Sequence, residues 1–103
     1  MPKKYQHVVV IGAGAYGSAM AHIASFCAHK VTLLTSDNYV AKSVSIDHHN
    51  PRLTFEHCFR DNVFGSVCDV CLCDCDLVIY ASRSSEFSKH YARVRSVSNV
   101  PLI

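Results

Sequence analysis

The sequence predicts an α/β fold in which a doubly wound parallel sheet carries helices on both of its faces. Strand patterns alternate with helical patterns along the chain, and half of the 103 residues are apolar. Mean hydropathy is slightly positive, at +0.14. Alternation of one strand with one covering helix is typical of a parallel sheet. The apolar content excludes a disordered polyampholyte.

A glycine motif follows the first predicted strand, which runs from about His7 to Ile11. The spacing of Gly12, Gly14 and Gly17 is that of G-x-G-x-x-G at the start of a helix. In such a turn the first glycine allows the bend, the second admits phosphate to bare backbone, and the third lets the helix lie close to the strand. We therefore predict a Rossmann-type fold and a pyrophosphate cradle for a dinucleotide such as NAD, formed by Gly12, Ala13, Gly14, Ala15, Tyr16 and Gly17. A βα turn that binds nothing is the alternative.

The remaining elements extend the same alternation. After the motif we predict a helix over 16–28, with an apolar stripe toward the sheet at Met20, Ile23, Ala24 and Cys27. The order then continues with a strand over 30–34, a helix over 38–46, an irregular loop over 47–61, a strand near 62–64, a helix over 67–73, a strand over 77–81, a helix over 84–95 and a strand from Val100. The prediction is thus a sheet of about five strands that lacks its C-terminal part.

Length and charge narrow the function class. We expect residues 1–103 to form one N-terminal dinucleotide-binding domain, incomplete and part of a longer enzyme, because a full dinucleotide fold needs two βαβαβ halves. The formal net charge is +2 with scattered basic residues, so neither nucleic acid nor an anionic membrane is an expected partner. The densest cationic stretch, residues 83–95, is interpreted as the solvated face of a helix whose Phe87, Tyr91 and Val94 point inward.

The sequence shows no signal peptide and no apolar run of membrane-spanning length, so a cytoplasmic protein is expected. Its six cysteines are then expected to be reduced thiols: Cys27, Cys58, Cys68, Cys71, Cys73 and Cys75. A zinc half-site completed by His57 or Cys58 is one interpretation of the last four. Buried, unreactive thiols on a sheet-covering helix are favoured, because Cys68, Cys71 and Cys75 have helical spacing. The His48–His49 pair is interpreted as surface loop residues.

Several segments, in order, resemble the N-terminal domain of NAD(P)-dependent glycerol-3-phosphate dehydrogenases. Residues 11–19, IGAGAYGSA, are similar to that family's V-I-G-A-G-S-W-G-T-A, and residues 28–33, AHKVTL, to its G-H-x-V-x-L. Asn50-Pro51-Arg52 falls where the family often has N-P-R. Residues 75–79, CDLVI, resemble A-D-L-I-L, and residues 81–87, ASRSSEF, resemble A-V-P-S-x-x-F.

The resemblance implies a cofactor site and leaves some roles open. It places Ser84 and Phe87 near the cofactor, although Arg83 replaces the family's usual proline. Ser36 stands where bacterial members commonly carry a basic residue for the 2′-phosphate of NADP, which favours NAD and leaves NADP as a second cofactor. Asp37 either accepts hydrogen bonds from the ribose or caps the next helix.

The resemblance also implies an activity, the interconversion of dihydroxyacetone phosphate and sn-glycerol 3-phosphate. In this family the lysines that polarise the substrate oxygen follow the fifth strand, so we assign no catalytic residue. Because the cysteines are interpreted as buried thiols, we also assign no metal ligand. The phosphorylated substrate is expected only in a longer enzyme, and the 103 residues alone should bind NAD(H) weakly or not at all. A stand-alone NAD-binding or regulatory module, a ketopantoate-type 2-oxoacid reductase and assembly into a homo-oligomer remain open.

Overall fold

A computed structural model describes residues 3–54 and 57–103. Within these ranges the strands are β1 (Tyr5–Ile11), β2 (Ala28–Leu34), β3 (Val63–Ser66) and β4 (Leu77–Tyr80). The α-helices are α1 (Ala15–Ala24), α2 (Asn38–Asp47) and α3 (Phe87–Val97). Two 3-10 helices, Asp69–Cys73 and Ser84–Glu86, precede β4 and α3 respectively.

The strands form one parallel sheet in the order β3-β2-β1-β4. Its register aligns Val8 of β1 with Val31 of β2 and with Leu77 of β4. This is the strand order of the first half of a Rossmann fold, so the predicted fold class is confirmed. The strand expected from Val100 is represented by one parallel bridge between Val78 and Leu102 at the edge of β4.

Two hydrophobic clusters bury the two faces of the sheet. On one face, Val8 and Leu33 pack with Ala21 of α1 and Val44 of α2. The opposite face carries a second cluster, which contains Val9, Ile11, Leu34, Leu72, Cys75, Val78 and Val94. Strands covered on both sides must be apolar at successive positions. The unbroken run of branched residues in β1 satisfies this requirement.

The first helix differs from its predicted form. It ends at Ala24, because the chain turns at Cys27, whose backbone N–H donates to the Ala24 carbonyl, and enters β2 at Ala28. The residues that α1 buries are Gly17, Ser18, Ala21 and Ala24. The predicted stripe is therefore confirmed at the buried Ala24 and at Met20, which packs against the core, but it is wrong at Ile23, which is 60% exposed. Small residues face the sheet because the helix lies so close to it that bulkier side chains turn outward.

The C-terminal half departs from prediction in two further places. The segment expected as a helix over 67–73 contains only the short 3-10 helix. Cys68 precedes this helix and is exposed, Cys71 within it is half-buried, and the following Cys75 is buried. The expectation of three buried thiols thus holds only for Cys75. In α3 only Val94 is buried.

Phe87 and Tyr91 were expected to point inward from α3, yet they are 41% and 39% exposed. Their rings lie against each other, with centroids 5.8 Å apart, and the Phe87 ring meets Tyr80 edge-on at 5.1 Å. The 3-10 turn before α3 keeps these first turns beyond the strand ends, so the rings pack together instead of entering the core. None of the helices in the described part of the chain has the length and apolarity needed to cross a membrane.

Candidate dinucleotide site

The turn between β1 and α1 requires glycine at two positions. Gly12 has a φ of +109°, and a Cβ there would lie 2.8 Å from the carbonyl oxygen of Ala81. A Cβ on Gly17 would lie 1.9 Å from the carbonyl oxygen of Gly12. The first residue therefore lets the chain turn beside β4, and the second lets α1 fold back onto that turn.

The face of this turn at Gly14 is open. Gly14 is the N-cap of α1, and no described atom lies within 4 Å of the position that a Cβ would take. Ser18 is the first helical residue whose N–H bonds within the turn, to the Gly14 carbonyl at 2.9 Å. The N–H groups of residues 15–17 precede it and have no intrahelical acceptor. Open space in front of such donors fits a pyrophosphate group.

A cleft of about 330 Å³ lies beside the turn. It opens at the carboxyl ends of β1, β2 and β4, where ligands bind in open α/β sheets. Its lining residues are Ile11, Gly12, Ala13, Leu34, Thr35, Ser36, Val67, Ser82, Glu86, Lys89, His90 and Arg93. Gly12 and Ala13 belong to both the turn and the cleft lining, so the two adjoin each other.

The predicted site residues occupy different parts of this region. Gly12, Ala13 and Ser36 line the cleft. Gly14, Ala15 and Tyr16 form the exposed start of α1, and Gly17 is buried beneath them. Ser84 and Phe87 are exposed on the segment that follows Ser82, and neither is among the described residues that line the cleft.

Asp37 is the N-cap of α2. Its Oδ1 accepts from the backbone N–H groups of Tyr39 at 3.0 Å and Val40 at 3.3 Å. Its Oδ2 accepts from Nε of Arg52 at 3.0 Å and lies 2.9 Å from Nη2 of the same guanidinium. The hydrogen bond from Arg52 is the main cause that lowers the pKa of Asp37, so the carboxylate stays charged. The capping role is therefore present in the structure, whereas ribose binding stays a prediction.

Asn50 connects the long loop to the glycine turn. Its side chain is fully buried, and Nδ2 donates to the Ala13 carbonyl at 2.7 Å and to Ser18 Oγ at 2.9 Å. Its Oδ1 accepts from the backbone N–H of Arg52 at 3.0 Å. Sequence reasoning assigned no role to Asn50. The N-P-R motif is the signal that the sequence offers for this residue. The hydrogen bonds satisfy the polar atoms of the buried amide, as a buried polar side chain requires.

Three charged or titratable side chains of α3 also reach the cleft: Lys89, His90 and Arg93. They were interpreted as part of a solvated face. Arg93 pairs with the carboxylate of Asp69, and this hydrogen bond raises the pKa of Arg93. Partial burial and the nearby Arg93 charge lower the pKa of His90. Glu86 also lines the cleft, so on this side the charges of Lys89 and Arg93 face the carboxylates of Glu86 and Asp69.

The cysteine and histidine groups were tested as metal ligands. No group of three or more His, Cys, Asp or Glu residues in the described ranges is arranged to hold a metal ion. Burial and the adjacent Cys75 raise the pKa of Cys71 to about 12, so its thiol stays protonated. His49 and His57 stack with ring centroids 4.5 Å apart. The Nε2 of His57 accepts from the Asn50 backbone N–H at 2.9 Å.

Comparison with known proteins agrees with this geometry. The family model for the NAD-dependent glycerol-3-phosphate dehydrogenase N-terminus matches residues 7–100. A chloroplastic glycerol-3-phosphate dehydrogenase [NAD(+)] of Arabidopsis thaliana is 33% identical over 82 residues, covering 77% of this chain and 20% of the relative. A glycerol-3-phosphate dehydrogenase [NAD(P)+] of Oleidesulfovibrio alaskensis is 33% identical over 89 residues, covering 85% of this chain and 27% of the relative.

A solved structure shows the same fold. The crystal structure of glycerol-3-phosphate dehydrogenase from Coxiella burnetii superimposes with a TM-score of 0.76 at 17% identity, covering 94% of this chain and 31% of the other. The chain thus spans between about a fifth and a third of the length of these relatives. Because the family model extends over nearly all of the sequence, the chain belongs to the family of the NAD-dependent glycerol-3-phosphate dehydrogenase N-terminus.

Proposed function

We propose that this chain is the dinucleotide-binding part of a cytoplasmic glycerol-3-phosphate dehydrogenase that interconverts dihydroxyacetone phosphate and sn-glycerol 3-phosphate with NAD(H) or NADP(H). One observation carries the proposal. The backbone at Gly14 is bare and open, directly in front of the first N–H groups of α1. Such donors suit the paired negative charges of a pyrophosphate.

The chain's own residues would bind and orient the cofactor. The N–H groups of residues 15–17 would hold the pyrophosphate, while Ser36 lies at the end of β2, where the adenosine ribose binds in this fold. Ser82 and the side chains of Lys89, His90 and Arg93 border the rest of the cleft. A bound nicotinamide supplies hydride to the substrate carbonyl or accepts it from the alcohol.

The rest of the reaction needs groups that polarise the carbonyl oxygen and bind the substrate phosphate. The resemblance places these in the longer enzyme, and its relatives are three to five times the length of the matched part. We therefore propose no catalytic residue within residues 1–103. The contribution of this chain to the rate is the positioning of the cofactor.

Nuclear magnetic resonance of the 103-residue chain tests the proposal, because it detects weak binding. NADH and NADPH are titrated to about 5 mM, which covers a Kd of about 1 mM, or roughly −4 kcal/mol. We expect saturable shifts of the backbone amides of Gly14, Ala15 and Tyr16. A Gly14→Val variant, whose side chain would fill the open face, should lose these shifts, whereas a variant remote from the cleft, Asp61→Asn, should keep them.

Of the two expectations for these 103 residues, weak binding and none, the open turn at Gly14 favours weak binding. The proposal therefore fails if neither coenzyme shifts the amides of residues 12–17 at the highest concentration. It also fails if the shifts persist in Gly14→Val, because the ligand would then bind elsewhere. Unfolding curves of both variants distinguish a lost site from a lost fold.

A further inference from the structure

Arg52, from the loop after α2, places a positive charge beside the end of β2. Ser36 replaces the basic residue that would mark an NADP enzyme, so the sequence favours NAD. In the structure Arg52, from the loop after α2, lies against Asp37, the residue that follows Ser36. The guanidinium therefore stands next to the position left neutral by the serine.

The Arg52 side chain has unused hydrogen-bonding capacity. Both of its bonds, from Nε and from Nη2, go to the single atom Oδ2 of Asp37. The side chain is 60% exposed, and the carbon of the guanidinium lies 5.3 Å from the centroid of the Tyr39 ring. A guanidinium carries five N–H donors in a planar fork, so three donors remain available for an anion.

Asp37, by contrast, has no such capacity. Its two oxygens already take part in four contacts, with the N–H groups of Tyr39 and Val40 and with two nitrogens of Arg52. A carboxylate offers about four acceptor sites. Asp37 can therefore accept the ribose hydroxyls of NAD only if Arg52 moves away.

The loop that carries Arg52 is fixed to the glycine turn. The Arg52 backbone N–H donates to Oδ1 of Asn50, and Nδ2 of Asn50 donates to the Ala13 carbonyl. The backbone at Arg52 is thus tied to the glycine turn through the buried Asn50 side chain. A phosphate beyond the ribose and a pyrophosphate at the helix start are the two anionic groups of NADP.

We propose that Arg52 binds the 2′-phosphate of NADP(H) and so makes this chain prefer NADP(H) to NAD(H), while its pairing with Asp37 keeps that carboxylate from the ribose hydroxyls of NAD(H). The proposal rests on the proposed dinucleotide function and is the reverse of the preference that Ser36 suggests. The free N–H donors of Arg52 would bind the phosphate, while the bonds to Oδ2 keep the Asp37 carboxylate neutralised. Charge-assisted bonds of this kind are the strong ones.

The test compares two fragments of the cofactors, 2′,5′-ADP and 5′-AMP, which differ by the 2′-phosphate. Binding to the 103-residue chain is measured by the shifts of its backbone amides. We expect 2′,5′-ADP to bind about tenfold more tightly, in line with one or two charge-assisted hydrogen bonds. In Arg52→Ala this advantage should disappear, with 5′-AMP binding at least as well as before because Asp37 is released.

Two further variants test the effect of the Asp37 carboxylate and of an arginine outside the site. Asp37→Asn keeps a good N-cap but removes the competing carboxylate, so binding of 2′,5′-ADP should strengthen. Arg60→Ala removes the same charge from an exposed arginine that packs on the Phe26 ring instead, and should leave the ratio unchanged.

The outcomes distinguish failure of the Arg52 role from failure of the proposed dinucleotide function. If neither fragment binds, and neither NADH nor NADPH shifts the glycine amides, the dinucleotide function itself is refuted. If both fragments bind equally to the wild-type chain, or if Arg52→Ala weakens both alike, the cofactor site stands and the role of Arg52 is refuted.

Discussion

The buried amide of Asn50 donates a 2.7 Å hydrogen bond to the Ala13 carbonyl, which lies inside the glycine turn. This bond joins two parts of the sequence that are 37 residues apart. The loop after α2 therefore supports the glycine turn.

Replacement of Asn50 by alanine should destabilise the chain and distort the cradle. The change leaves the Ala13 carbonyl and Ser18 Oγ without their buried donor, and each orphaned group costs about 1–3 kcal/mol. Urea unfolding should show this loss. The exposed Asn99 provides the control, because Asn99→Ala should change stability by less than about 0.5 kcal/mol. Wild-type stability in Asn50→Ala would show that water replaces the amide.

The glycines of the turn should respond differently to alanine. In Gly17→Ala the new methyl group collides with the Gly12 carbonyl, which is backbone and has little room to move. We expect a loss of about 3 kcal/mol or more in the free energy of unfolding. Gly14→Ala meets no described neighbour and should cost about 1 kcal/mol at most. Equal losses in thermal unfolding of the two variants would contradict this geometry.

The ionisation of Asp76 should make the free energy of unfolding depend on pH. Partial burial raises its pKa, but hydrogen bonds from the backbone N–H groups of Gln6 and His7 outweigh this effect, so the pKa lies below its usual value. Since the folded state favours the charged form, this stabilisation is complete above the unfolded pKa, about 3.9. It is lost as pH falls through the lower, folded value.

Asp76→Asn tests this linkage. At pH 7 the variant should be about 1–2 kcal/mol less stable than the wild type, and the difference should shrink below about pH 4. Asp61→Asn, at an exposed site, is the control. A stability difference that stays constant between pH 7 and pH 3 would rule out the charged carboxylate as the cause.

The fold could be predicted because its signals are local. The apolar run of β1, the glycine spacing and the strand of residues 77–80 each lie within a few residues, and strand order follows from the chirality of βαβ units. The buried side of α1 could be predicted from apolar periodicity only in part. Gly17 lies against the Gly12 carbonyl, where a side chain has no room, and the small Ala21 is buried while the larger Ile23 is exposed.

The site was only partly predictable for a related reason. Gly12, Gly14 and Gly17 act through backbone geometry, which a short motif encodes. Asn50 and Arg52 act across the fold, where the sequence gives no distance. Ser36 taken alone therefore favours NAD, while the arginine proposed to compensate for it is 16 residues further along the chain.

The cysteines should differ in reactivity toward iodoacetamide at pH 8. The pKa of Cys71 is about 12, so only about one thiol in ten thousand is ionised at that pH. Burial also raises the pKa of Cys75. We expect peptide mass spectrometry to find rapid labelling at the exposed Cys58, Cys68 and Cys73, with Cys71 and Cys75 protected until urea unfolds the chain. Labelling of Cys71 as fast as Cys73 would contradict its burial.

Arg83 occupies a backbone conformation suited to the proline that the family usually carries there. Its φ is −67°, close to the value that a proline ring imposes. No hydrogen bond from its backbone N–H is found among the described residues, so a proline would remove none. Arg83→Pro should therefore raise the free energy of unfolding by about 0.4–1 kcal/mol, because it restricts the unfolded chain. Arg83→Ala separates loss of the side chain from the effect of the ring. In thermal unfolding the proline variant should be the more stable of the two, and the opposite order would show that the ring strains Ser82 or the turn into α3.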